Sequence, residues 1–228
     1  METFKQANIP NTYDISINDD CLTYFGKALK FARDHYSEDL ERISNTRFQD
    51  ITPEKFFAEY VWCVMVSGFR AKTVSKLWDS VMESLASLSK SLSDNALEID
   101  RGQIAKSFLG IFNNERKLNA ILKTHSVLLD GIKSVSWETF RDTKLDTREK
   151  LQELPFIGPV LSQHLHRNLG HLDTIKEDLH LVRVAKMWGF ENPIQMCETI
   201  KERHDLPLGI IDTVLFYALA SFGSRKGE

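Results

Sequence analysis

Cysteine is scarce: the chain has three, Cys21, Cys63 and Cys197, far apart and odd in number. They form no disulfide framework and have no metal-ligand spacing, so reduced thiols and a cytoplasmic setting are expected. There is no run of about eighteen apolar residues, so no membrane-spanning helix is expected. The opening Met1-Glu2-Thr3-Phe4-Lys5 lacks a basic region followed by an apolar stretch, and no secretory signal is expected. A strong positive charge is also missing. The net charge is −3, which argues mildly against nucleic acid. Its distribution softens that: residues 1–60 carry 11 acidic and 7 basic side chains, and the remainder 21 and 22. No internal repeat or low-complexity linker is present.

What is there is helical periodicity. At 228 residues, 42% of them hydrophobic, the chain can bury a substantial core in one large or two small domains. Thr52-Pro53 reads as a cap followed by proline at the first helical position. Apolar stripes follow at Phe57, Tyr60, Val61, Val64 and Met65, then from Val74 to Leu92. Ser93-Asp94-Asn95 reads as a loop. Further stripes run through Ile104–Phe112 and Leu118–Leu128, and Gly170, Gly189 and Gly223 each read as a helix stop. Phe57, Trp78 and Trp188 are assigned to the core. Tyr13-Asp14-Ile15-Ser16-Ile17 alternates and is expected to form one short strand. The fold class expected is all-α.

Two segments carry chemistry. Leu154-Pro155-Phe156-Ile157-Gly158-Pro159-Val160 is a turn between two apolar helical runs. Such a turn points backbone N–H groups at an anion from a helix N-terminus and holds a phosphate without reading sequence. Gly158 is expected to supply the unusual dihedrals the turn needs. About twenty residues on, Asp178-Leu179-His180-Leu181-Val182-Arg183-Val184 sets a carboxylate at the start of another helix. Read by themselves, the first could be a plain helix corner and the second a plain N-cap.

Together they resemble the helix-hairpin-helix DNA glycosylase superfamily, which includes endonuclease III and the 8-oxoguanine glycosylases. The resemblance spans about residues 50–223, with its strong motifs in 152–188. It implies two helical lobes, with double-stranded DNA and a flipped, modified base in the cleft between them. One lobe is expected at 50–190, containing the hairpin (152–170) and the aspartate segment. Residues 1–49 would complete the other lobe with C-terminal helices from 191–228.

The resemblance assigns Asp178 as the catalytic carboxylate, and phosphate contacts to the N–H groups of Phe156, Gly158 and Leu161. The carbonyls of Gln152, Leu154 and Ile157 would hold a structural Na+ or K+. Phe69 is the candidate wedge that fills the hole left by the base, beside Arg70; Phe69 in the core is the alternative. Asp212 and Phe216 are candidate base-pocket residues, Asp212 where the 8-oxoguanine glycosylases carry glutamine. No other cofactor is implied. Cys197 stands alone near the C-terminus, which excludes the four-cysteine iron–sulfur cluster of some members.

There are two departures from the pattern. Phe156 replaces the glycine usual after the proline. Val160 stands where strand-cutting members carry a Schiff-base lysine, which implies a monofunctional enzyme of base-excision repair. A damaged purine is the expected substrate, and a monomer, nucleoid-associated if prokaryotic, the expected form. A lyase using a displaced lysine, and a non-catalytic helix-hairpin-helix DNA-binding module, remain as alternatives.

Overall fold

The computed structural model describes residues 13–94 and 98–222. Asn95 of the expected loop and the expected stop at Gly223 lie outside the described residues, as do residues 1–12. Thirteen α-helices and one short 3-10 turn (Phe48–Asp50) make up the regular structure of the described residues, and the fold is all-α. The helices are α1 (Cys21–His35), α2 (Ser37–Asn45), α3 (Pro53–Val66), α4 (Ala71–Ser84), α5 (Ala86–Ser91), α6 (Arg101–Ile111) and α7 (Glu115–Ser134). They continue with α8 (Trp137–Lys144), α9 (Arg148–Leu151), α10 (Pro159–Asn168), α11 (Leu179–Met187), α12 (Pro193–His204) and α13 (Leu208–Phe222). No single helix among them is long and apolar enough to cross a membrane.

The described chain divides into two compact units, 47–169 and 13–46 with 170–222. The boundary falls after Leu169 rather than near residue 190, so the Asp178 segment groups with the N-terminal helices instead of the hairpin. The reason is local. Gly170 takes a left-handed φ of 100° and ends the hairpin's second helix. Residues 170–178 are then fastened to α13: Gly209 N–H donates to the Leu172 carbonyl (2.8 Å) and Lys176 N–H to Asp212 Oδ2 (3.0 Å).

In the first unit α3 is central and packs on α4, α5, α7 and α10. Thr52 caps it through the Lys55 N–H, and Pro53 occupies its first position. Phe56, Phe57, Tyr60 and Met65 are fully buried, and each such side chain contributes about 1.5–3 kcal/mol on leaving water. The stripe from Val74 to Leu92 is two helices rather than one. The chain tightens at Leu85, whose N–H reaches both the Val81 and Met82 carbonyls, and α5 then restarts.

In the second unit α1 packs on α13, α12 and α2. Asp20 caps α1 through the Leu22 and Thr23 N–H groups, both at 3.1 Å. Tyr36 and Tyr217 stack with centroids 4.1 Å apart. Tyr13–Ile17 is not a strand: no strand exists among the described residues for it to pair with, and Tyr13 packs its ring against Phe31 instead (5.2 Å). Trp188 is half-buried with its ring 5.1 Å from Tyr24.

Candidate active site

In the first unit the hairpin begins at α9, capped by Thr147, and turns into α10. Leu154 and Ile157 anchor the turn in the core, and the Ile157 N–H closes onto the Leu154 carbonyl (3.2 Å). The buried Tyr60 hydroxyl donates to the Pro155 carbonyl (2.6 Å), with the Ala120 carbonyl at 3.2 Å. Burial pushes that phenol well above the usual tyrosine range, so it stays a donor.

Gly158 is the N-cap of α10 and offers no side-chain cap, with Pro159 at the first helical position. The first intrahelical bond runs from Ser162 N–H to the Gly158 carbonyl (2.8 Å). The Val160 and Leu161 N–H groups therefore have no acceptor within the helix, and the helix dipole adds positive potential there. Such a helix start presents donors to an anion. Gln152 is exposed, and the carbonyls of Gln152, Leu154 and Ile157 are neutral oxygens in one turn, a donor set that suits a monovalent cation. The Leu154 carbonyl keeps one lone pair beyond its bond to Ile157.

One expectation about the turn is corrected. Gly158 is extended (φ −95°, ψ −176°), a conformation open to any residue. The left-handed residue is Phe156, at φ 71°. The turn thus demands a positive φ directly after the proline, where glycine would be at ease. A bulky side chain there costs about 1–2 kcal/mol. The Phe156 ring is half-buried, 5.3 Å from the Arg116 guanidinium and 5.9 Å from Lys117 Nζ.

The turn between α3 and α4 belongs to the same unit. Gly68 takes φ 74°, and Phe69, 43% exposed, stands out from the core. Its ring meets Phe112 edge-on at 5.0 Å. Arg70 is exposed at the head of α4. Beneath them lies Lys117, which the sequence reading missed. It is buried, its Nζ donates to the carbonyls of Met65 (2.8 Å) and Ser67 (2.7 Å), and it lies 4.4 Å from the Phe69 ring centroid. Burial lowers its amine to about 8. A signal existed: Lys117 shares the helical face of Ile121 and Leu128, an apolar stripe with one charge in it.

In the second unit Asp178 is the N-cap of α11. Its Oδ1 accepts from the His180 (2.9 Å) and Leu181 (3.1 Å) N–H groups. Its Oδ2 lies 3.6 Å from Lys176 Nζ, and the side chain is 24% exposed. Capping therefore employs one oxygen and leaves the other beside an ammonium group, still reachable by solvent. His180 and Arg183 are exposed on α11.

Asp212 is 3% exposed, and its Oδ2 accepts the Lys176 N–H (3.0 Å). The carboxylate expected to read a base is thus engaged with the backbone that carries Lys176 and Asp178. Phe216, one turn further along α13, is half-buried with its ring 5.7 Å from Tyr217. The structure brings Asp178 and Asp212 together through Lys176, and the wedge candidate and the hairpin together through Lys117.

No family model and no curated protein sequence matches the chain. Solved structures do. The 8-oxoguanine DNA glycosylase of Thermotoga maritima superposes with a TM-score of 0.60 at 16% identity, covering 90% of this chain and 98% of that one. The chain shares its fold with that glycosylase. A second glycosylase structure agrees, the 8-oxoguanine glycosylase/lyase of Methanocaldococcus jannaschii in complex with a 15mer DNA containing 8-oxoguanine. Its TM-score is 0.54 at 17% identity, over 87% of this chain and 98% of that one. Val160 is 41% exposed in the first turn of α10.

Proposed function

We propose that this protein is a DNA glycosylase of base-excision repair. It hydrolyses the N-glycosidic bond of a modified base, a damaged purine, turned out of duplex DNA. The observation that carries the reading is Asp178, a partly exposed carboxylate fixed at a helix N-terminus within an 8-oxoguanine glycosylase fold. As the glycosidic bond breaks, the sugar gains positive charge, and a preorganised carboxylate stabilises that charge and orients the attacking water. The helix N–H groups hold Oδ1 in place and leave Oδ2 beside Lys176.

The uncapped start of α10 supports phosphate binding through the Gly158 and Leu161 N–H groups, with Phe156 N–H beside them. A Na+ or K+ held by the Gln152, Leu154 and Ile157 carbonyls would stiffen that turn. The exposure of Phe69 and Arg70 supports their service as wedge and neighbour. Phe216 is the stacking residue of the base pocket, and Asp212 builds that pocket from behind by holding residue 176. The protein works as a cytoplasmic monomer.

Val160 supports a monofunctional reaction, since its side chain has no nucleophile. One observation favours a second reading, a glycosylase/lyase: Lys176 Nζ lies 3.6 Å from Asp178 and would reach the same sugar. The test is a panel of duplexes, each with one modified base, scored with and without alkali. Strand breaks only after alkali support base release alone and name the base. Breaks without alkali, together with a borohydride-trapped adduct lost in Lys176→Ala, establish the lyase instead. Duplex binding with no base release from any member leaves a binding module.

A further inference from the structure

Beside the hairpin, within the first unit, lies a cavity of about 480 Å³ lined by Glu115, Arg116, Asn119, Lys123, Pro155 and Phe156. That volume is within the range of small-ligand sites. Arg116, Asn119 and Lys123 recur at helical spacing, so α7 presents them along one face to the turn. All three are exposed. The wall opposite α7 depends on Phe156. A glycine at that position would relieve the positive φ but leave no aromatic surface. The strained residue is therefore the one that gives this cavity its aromatic wall, and local strain kept at such a place points to use.

The lining has the chemistry of nucleotide recognition. Phe156 and the Arg116 guanidinium, 5.3 Å apart, offer π surfaces on which any base stacks. The Asn119 amide offers both a donor and an acceptor to a base edge. Lys123 and Arg116 offer cations to a phosphate, and Glu115 at the rim is the one carboxylate in the lining.

We propose that this cavity holds one unpaired nucleotide, its base on Phe156 and Arg116 and its phosphate on Lys123. The proposal rests on the DNA-binding reading of the hairpin, because the Phe156 turn belongs to both. The nucleotide comes either from a duplex whose partner base is missing or from free nucleotide in solution.

The experiment uses the full chain and a duplex carrying 2-aminopurine opposite a tetrahydrofuran abasic analogue, with free 2-aminopurine deoxynucleoside monophosphate as the second probe. Stacking is expected to quench the fluorophore. Phe156→Gly, which relieves the positive φ and so is expected to fold, should lose the quench and weaken binding about tenfold. Lys123→Gln should lower the slope of log affinity against log salt by about 1. Quenching of the duplex alone assigns the nucleotide to DNA, and equal quenching of the monophosphate assigns it to solution. Quench and affinity unchanged in Phe156→Gly overturn the proposal. Base release measured in parallel separates the two claims. A wild type that quenches but releases no base leaves the cavity standing and removes the glycosylase reading. A wild type that releases base, with quench indifferent to Phe156→Gly, does the reverse.

Discussion

Lys117 Nζ sits 4.4 Å from the centre of the Phe69 ring while donating to the two carbonyls that end α3. A buried ammonium with carbonyls and rings around it is costly to desolvate, and here it ties the Gly68–Phe69 turn to the rest of its unit. Lys117→Met should orphan both carbonyls and destabilise the protein by about 1–3 kcal/mol in urea unfolding, less whatever desolvation the apolar side chain relieves. Base release at saturating duplex should slow while duplex affinity changes little. A parallel fall in both would mean that Lys117 does not act through Phe69.

The same lysine makes stability depend on pH in a defined direction. Its folded value is about 8, below the 10.5 of a free lysine. Between those values the unfolded chain binds more protons, so the lysine's contribution to stability rises with pH across that window and is constant below it. Tyr24, Tyr60, Cys21 and Cys197 are all raised by burial and act oppositely at alkaline pH. They are common to both proteins and cancel in the difference. Wild-type stability minus that of Lys117→Met should therefore grow between about pH 7.5 and 9.5. A flat difference contradicts the lowered amine.

Asp178→Asn separates capping from chemistry. Asparagine caps as well as aspartate, so the melting temperature should move little. Base release should fall by about 10²–10⁴-fold, the range for loss of a positioned acid–base group. Full activity in this variant removes the catalytic assignment.

Asp212→Ala tests the bond between α13 and the Lys176 backbone. It leaves the Lys176 N–H without its acceptor and should cost about 1–3 kcal/mol, visible as a lowered thermal midpoint. Activity should fall too, because residues 176–178 lose their anchor. An unchanged midpoint would return Asp212 to a purely ligand-facing part.

The elements legible in the sequence were those where one local rule dominates. Thr52-Pro53 starts α3, Gly170 ends α10, and Asp178 opens α11 as capping chemistry requires. The start of α11 was legible because Asp178 meets a backbone demand, the cap of a helix. What escaped depended on tertiary neighbours. The break at Leu85 is announced by no gap in the apolar stripe. Tyr13–Ile17 alternates like a strand but finds no strand to pair with among the described residues. The positive φ belongs to Phe156 rather than to Gly158 because a turn's dihedrals are set by both flanking helices. The bond from Lys176 N–H to Asp212 escaped because nothing in sequence links two residues 36 positions apart.

Among the described residues the chain crosses between its units at 46/47 and at 169/170, which makes 47–169 an insert within a host built from two separated stretches. Inheritance could act on such a gene as on a cassette. Exchanging the insert would replace the hairpin, the Phe69 turn and the Phe156 cavity in one event. Asp178 and the α13 anchor that steadies it would stay behind with the host.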